Sequence, residues 1–234
     1  MELTVATHEH QFAHELRTTD AIIEGSHLHL KSGRHAEIYI DCDPLFAQSW
    51  RMRHFYMKWA GDWLHGVSST ARPEVVAGPA IGGVYLAGGF AQFLFDSNFT
   101  NIGAVWADKH GDDFALERAG FQRAVRGRRV LVIEDVITTG GSTKKTIAAV
   151  RAAGGIVIGV ACMVNRTRAV THDVLDVQRL TTCWQLDVPS YAMEDCPFCA
   201  EQRPMVTNLA HGDVFLAEFP NYAGGFTEVH IDAA

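Results

Sequence analysis

Between Glu74 and Val188 one pattern recurs: a short, nearly unbroken apolar run, then a more polar segment with helical spacing. The runs are "VVAGPA" from Val75, "NIGAVWA" from Asn101, "RVLVIEDV" from Arg129, "IVIGVACMVN" from Ile156 and "TTCWQLDV" from Thr181. Strands that read as continuous hydrophobic stretches are buried on both faces, which is the condition of a parallel sheet covered by helices. Helical spacing over Val84–Phe95 and Ser142–Ala153 supplies two covering helices, the second stopped by Gly154 and Gly155. The expected fold is therefore α/β, with a parallel sheet of about five strands flanked by helices. Upstream, Met52, Phe55, Tyr56, Trp59, Trp63 and Val67 recur at helical spacing and predict a helix that buries an aromatic face. "SHLHLKSGRHAEIYIDC" alternates around "KSGR" and predicts two short strands about a turn. Asp108 to Arg128 is polar and glycine-punctuated, a long loop or short hairpin.

Composition narrows the function classes. The 234 residues are 47% hydrophobic and carry a net charge of −7. With no basic block, the chain is a poor candidate for sequence-independent nucleic-acid binding. Val75–Phe95 runs for 21 residues without a charge, long enough to be flagged as membrane-spanning. Its five glycines, Pro79 and Gln92 instead favour a buried strand, a glycine turn and a core helix, so no membrane association is expected. The N-terminus shows no basic and apolar export signal, and the five cysteines are an odd number. Both features predict a reducing cytoplasm.

In open parallel sheets, ligands sit beyond the carboxyl ends of the strands. Those ends are "GPAIGG", "WADKHG", "EDVITTGGS" and "NRTR". The third is the most telling. In "VLVIEDVITTGGS" a buried strand runs into Glu134 and Asp135, then Val136, Ile137, Thr138, Thr139, Gly140, Gly141 and Ser142. Backbone N–H groups of Thr138 to Ser142 can form an anion-binding nest at the positive end of the following helix. There is no Lys of the triphosphate-binding loop. Two carboxylates beside a phosphate would repel it unless they face hydrogen-bond donors, and vicinal ribose hydroxyls are suitable. The stretch therefore suits a ribose 5-phosphate.

"VLVIEDVITTGGS" resembles the phosphoribosyl-diphosphate signature of type I phosphoribosyltransferases. "LHLKSGRHAEIYIDC" and "GPAIGGVYLA" resemble the N-terminal segment and diphosphate-binding turn of the orotate phosphoribosyltransferases. "CPFCAEQRPMV" resembles the "CPLC…P" stretch of one bacterial and archaeal branch. The resemblance implies transfer of a phosphoribosyl group to orotate, giving orotidine 5′-phosphate and diphosphate in pyrimidine synthesis. It implies Mg²⁺ carried mainly by the substrate diphosphate. It also implies one domain over 1–234, with a core of about 45–188 and a small hood from about 16–44 and possibly 189–234. Lys31 stands where a family lysine reaches the substrate, and Tyr39 and Ile40 where a pair lies along orotate. Ala80, Ile81, Gly82 and Gly83 stand at the turn that holds diphosphate, Thr138 where a threonine meets the base, and Arg166 where an arginine pairs with its carboxylate. Residues 108–123 correspond to a mobile loop that closes over the neighbouring subunit's site. This implies a homodimer with Lys109, then His110, then Arg118 as candidate diphosphate-binding cations. Glu117 departs from the pattern, standing where a cation often sits. The rival readings are a phosphoribosyltransferase for another base and a non-catalytic nucleotide sensor of the same fold.

Cys196 and Cys199 form one CxxC pair. A zinc site needs four ligands; Cys183, His211 or Cys42 could complete it, but no second pair has the spacing. Two partly buried thiols, and no protein-held metal, are expected. His8, His10 and His14 lie in a polar N-terminal stretch and are expected to be solvated.

Overall fold

The computed structural model describes residues 11–64, 68, 71–97 and 101–229. His8, His10 and Val67 lie outside that set; His14 is exposed on a helix over residues 11–17, α1. In chain order the strands are β1 (Ile22–Ile23), β2 (Leu28–His29), β3 (His35–Ala36), β4 (Tyr39–Ile40), β5 (Val75–Pro79), β6 (Gly103–His110), β7 (Asp113–Ala115), β8 (Arg129–Ile137), β9 (Ile156–Asn165), β10 (Leu180–Gln185), β11 (Met205–Val206) and β12 (Phe226–Thr227). The further helices are α2 (Asp43–Phe46), α3 (Met52–Leu64), α4 (Gly82–Asp96), α5 (Ala119–Val125), α6 (Gly141–Ala152), α7 (Pro197–Ala200) and α8 (Gly212–Glu218). The chain divides into two compact units. One is Leu45–Asp187 with the segment ending at Glu15; the other is Leu16–Pro44 with the segment starting at Val188.

The first unit is built on a six-stranded sheet in the order β10-β9-β8-β5-β6-β7. Five strands are parallel, as the apolar runs predict, and β7 is an antiparallel edge strand hairpinned to β6. Val130 and Val132 of β8 join Ile147 and Val150 of α6 in one fully enclosed cluster. Successive strand side chains alternate faces, and the intervening Leu131 and Ile133 are buried as well. On α3, Phe55, Tyr56, Trp59 and Trp63 are all buried, so the aromatic stripe is core. Gly159 of β9 makes room for it: a Cβ there would stand 2.2 Å from the Trp63 ring. The uncharged stretch from Val75 resolves into β5, a glycine turn and α4, and no helix among the described residues is long and apolar enough to cross a membrane.

Part of the expected 108–128 loop is ordered differently. Residues 108–115 form the β6–β7 hairpin, and Ala119–Val125 is a helix, not loop. Gly120 reads as punctuation in the sequence. The burial of Val125 and the edge-on packing of Phe121 against Trp106, at 4.5 Å between centroids, override its low helix propensity.

In the second unit, β1 pairs with β4 and β2 with β3, both antiparallel, around a turn in which Leu30 N–H donates to the Arg34 carbonyl at 2.8 Å. The C-terminal segment is laced to this hairpin. His35 exchanges backbone hydrogen bonds with Tyr191, the Val206 N–H donates to His27, and the His211 N–H donates to His29.

Candidate active site

β8 carries the acid pair near its end and stops at Ile137, and α6 begins at Gly141 after three intervening residues. Gly140 caps α6 in the left-handed region at φ 76°, where a side chain costs about 1–2 kcal/mol. A Cβ there would also press on Leu175 and Val170 at 3.2 and 3.3 Å. With no side chain at the cap, the first-turn amides have no side-chain acceptor of their own, which is the condition for receiving an anion. Thr138, Thr139, Gly141 and Ser142 are exposed there, as a phosphate cradle requires, while Val136 is half-buried and Ile137 buried.

The two carboxylates have different surroundings. Glu134 is buried, and its Oε2 accepts a 3.0 Å hydrogen bond from the Thr143 hydroxyl on α6. Burial, and secondarily the adjacent charge of Asp135, push Glu134 well above the usual carboxylate range. Asp135 is half-buried and its Oδ1 accepts the Val136 N–H at 2.7 Å. Its Oδ2 would lie 2.7 Å from a Cβ at Gly82, so the absence of a side chain on Gly82 brings this carboxylate against the first turn of α4. A proton retained on Glu134 lowers the negative charge that the sequence places beside the nest, and it makes Glu134 a potential donor as well as an acceptor. Thr143, one residue past the stretch that the sequence singles out, is the partner that sequence reasoning missed. A hydroxyl one helical turn inside a phosphate-binding βα loop is the signal that would have found it.

The "GPAIGG" turn joins β5 to α4. Gly78 and Gly83 touch backbone to backbone: a Cβ on Gly78 would meet the Gly83 carbonyl oxygen at 2.5 Å. The Ala80 N–H donates to Ala107 at 2.9 Å, the Ala80–Ile81 peptide is cis, and Ile81 is 87% exposed. Arg166 follows β9, its N–H donating to the Ile137 carbonyl at 2.9 Å, so the "NRTR" turn abuts the end of β8; its side chain is buried. Asn165 shapes this turn by donating to the Val170 carbonyl at 3.0 Å and accepting from the Thr167 N–H.

On the β6–β7 hairpin, Lys109 and His110 are exposed. His110 is paired with Glu117 at 2.6 Å. Arg118 is tied to Asp108 and lies over the Trp106 ring at 4.8 Å. Lys145 of α6 reaches the Asp112 carbonyl and so holds the hairpin tip to the helix that carries the nest. Of the three candidate cations, Lys109 is the one with no hydrogen bond or ion pair from its ammonium among the described contacts. Lys31, Tyr39 and Ile40 belong to the other unit, with Lys31 exposed at the β2–β3 turn, Tyr39 half-buried and Ile40 buried in β4.

The profile of the phosphoribosyl transferase domain matches residues 58–192, the stretch that holds the acid pair, the nest and the glycine turn. Orotate phosphoribosyltransferases of Pelotomaculum thermopropionicum and Caldanaerobacter subterraneus are 36% and 34% identical to this chain. The alignments cover 80% and 79% of it, and 90% and 89% of the relatives. The crystal structure of orotate phosphoribosyltransferase from Aeropyrum pernix superposes with a TM-score of 0.57 at 25% identity, covering 75% of this chain and 93% of that one. With the nest, the acid pair and the diphosphate turn all inside the matched span, the chain belongs to the type I phosphoribosyltransferase family.

Proposed function

We propose that this protein is an orotate phosphoribosyltransferase of de novo pyrimidine synthesis. It would transfer the phosphoribosyl group of 5-phosphoribosyl 1-diphosphate to orotate, giving orotidine 5′-phosphate and diphosphate. The observation that carries the sugar-phosphate half is the capless start of α6 beside Glu134 and Asp135. Similarity to curated orotate enzymes along about four-fifths of the chain supports the choice of base.

In this reading the 5-phosphate occupies the amides of Thr138 to Ser142, and Asp135 accepts hydrogen bonds from the ribose hydroxyls. The exposed turn at Ala80–Gly83 faces the diphosphate. The ring nitrogen of orotate, having given up its N–H proton to solvent, forms a bond to C1 as the C1–oxygen bond breaks, and diphosphate leaves with the electron pair. Such a loose transition state needs placed charges more than a protein nucleophile. Lys109 supplies one such charge to the leaving group, and Arg166 offers a planar guanidinium to the orotate carboxylate. The residues fit a magnesium ion that arrives on the diphosphate: Asp135 offers a hard oxygen beside Gly82, and Glu134 is buried and disposed to keep its proton. When bound, the ion neutralises charge on the departing diphosphate.

The working form is a homodimer with residues 108–123 acting across the interface. Its apolar surface includes Trp50, 66% exposed, and Met57, 51% exposed. The cytoplasm is its compartment, in keeping with the free thiols of Cys42, Cys162, Cys183, Cys196 and Cys199. The test is diphosphate release from phosphoribosyl diphosphate and magnesium with a panel of bases. Release with orotate alone is expected. Release with uracil or a purine instead would replace the acceptor, and tight binding without release would mark a sensor.

A further inference from the structure

The sequence leaves Cys196 and Cys199 without partners, and the completing ligands it suggests are not the ones the fold supplies. Cys183 is buried in β10 of the parallel sheet, and neither Cys42 nor His211 belongs to the cluster that forms around the CxxC pair. In the second unit the fold brings His27 and His35 to them. The four ligand atoms lie within 4.8 Å of one another.

The geometry points to a structural zinc site formed by His27 Nε2, His35 Nδ1, Cys196 Sγ and Cys199 Sγ. The individual separations are 2.9 Å between the two nitrogens, 3.2 Å from Cys199 to His35, and 3.7 Å from each sulfur to His27. A tetrahedral ion with Zn–N of about 2.0 Å and Zn–S of about 2.3 Å holds its donors roughly 3.3–3.8 Å apart. These four separations are within a few tenths of an ångström of those a zinc ion sets, and the remaining pairs, which both involve Cys196, lie within the 4.8 Å spread of the cluster.

Three further observations support the assignment. The donor set is two imidazoles and two sulfurs, with no carboxylate, which selects zinc over magnesium or calcium. The orienting contact of a metal-bound histidine is present: His27 Nδ1 lies 3.0 Å from the Arg203 carbonyl, fixing the proton there and leaving Nε2 to face the cluster. His27, His35 and Cys196 are each at most 2% exposed. Without a cation, three buried polar groups and the half-buried Cys199 have little but one another to satisfy them.

The placement explains the purpose. His27 and His35 flank the β2–β3 hairpin turn, and Cys196 and Cys199 bracket the start of α7, 169 residues from His27 in the first pairing. One ion therefore fastens the two chain segments of this unit, beside the aromatic cluster around Phe215 and Phe198. All four positions are taken by protein, so the site is closed and its role is folding rather than catalysis.

The test uses the full chain without an affinity tag, purified with zinc in the medium. About one zinc per chain is expected, along with an X-ray absorption spectrum of two sulfur and two nitrogen neighbours. Replacement by cobalt should give the intense thiolate-to-cobalt band and visible absorption of a tetrahedral ion. Cys199→Ser and His35→Ala should each abolish the stoichiometric zinc, and chelation of the wild type should lower its melting temperature by several degrees. Should the variants fail to fold, the wild-type zinc content and cobalt spectrum still decide. A zinc-free protein that takes up no cobalt with sulfur ligation, or thiol titration showing a Cys196–Cys199 disulfide, would overturn the site. These readouts do not involve turnover, so they stand apart from the choice of acceptor base.

Discussion

The Thr143 hydroxyl in the first turn of α6 donates a 3.0 Å hydrogen bond to Oε2 of Glu134 near the end of β8. It does so inside an environment that favours the protonated acid, with burial first and the Asp135 charge second raising Glu134 above its ordinary 4.5. The folded state then holds a proton over a pH range in which the unfolded chain has released it. Stability from this group is complete below the unfolded value and declines as pH rises toward the folded one. Glu134→Gln removes the titration. Its unfolding free energy relative to wild type should rise with pH above 4.5, by no more than about 1.4 kcal/mol per pH unit. Urea unfolding across a pH series measures this; a difference that does not change with pH would show that Glu134 ionises in the fold as freely as in the open chain.

Gly82 and Gly83 are neighbours with separate duties. Gly82→Ala would place a methyl 2.7 Å from Asp135 Oδ2. It should lower kcat/KM for phosphoribosyl diphosphate by about tenfold or more while leaving the melting temperature nearly unchanged. Gly83→Ala meets Pro79 and the Gly78 backbone at 2.6–2.8 Å, and should cost about 1–3 kcal/mol of stability. Steady-state kinetics beside thermal unfolding separates the two; equal loss of stability in both would refute the division.

Asp135→Asn tests the sugar contact. Losing a charge-assisted hydrogen bond costs about 1.5–3 kcal/mol, so affinity for the sugar diphosphate, measured by calorimetry with magnesium, should fall roughly 10- to 100-fold. Unchanged affinity would move the ribose elsewhere.

Lys109 and Arg118 differ in what already holds them. Lys109→Ala should slow kcat by about tenfold or more with KM changed by less than about threefold, because its charge is spent on the leaving group. Arg118 is engaged with Asp108 and stacked on Trp106. Arg118→Ala should chiefly loosen the hairpin, by no more than about 1 kcal/mol given its exposure. If Arg118→Ala carries the larger kcat loss, the pair rearranges during turnover and the roles are exchanged.

Gly140→Ala combines a left-handed backbone with contacts at 3.2–3.3 Å to Leu175 and Val170. Destabilisation of about 1–2 kcal/mol is expected, with weakened binding of inorganic phosphate as a probe of the nest. A variant as stable as wild type would mean the loop adopts another conformation.

Much of the site was legible beforehand because it is local. In "VLVIEDVITTGGS" strand, acids, glycines and helix start are contiguous, so hydrophobic run length and glycine content are enough to place them. The five parallel strands follow from the same short-range signal. The helix at Ala119–Val125 was not legible, since its stability comes from Phe121 and Val125 packing rather than from the propensity of its residues. The upward shift of Glu134 was not legible either, because it depends on how completely α6 and the sheet exclude water from one carboxyl and not from its neighbour.

By itself the sequence determined the alternation of buried strands with helices, the phosphate nest and the family signature. Each is assembled from short contiguous stretches, within which periodicity and backbone freedom suffice. Only the tertiary structure decided that Asp135 lies against Gly82, that Arg118 is engaged and Lys109 is not, and that two histidines of an N-terminal hairpin meet two cysteines near the other end of the chain. Those relationships join distant segments, and the free energy that selects them is packing and desolvation in three dimensions, which no local pattern records.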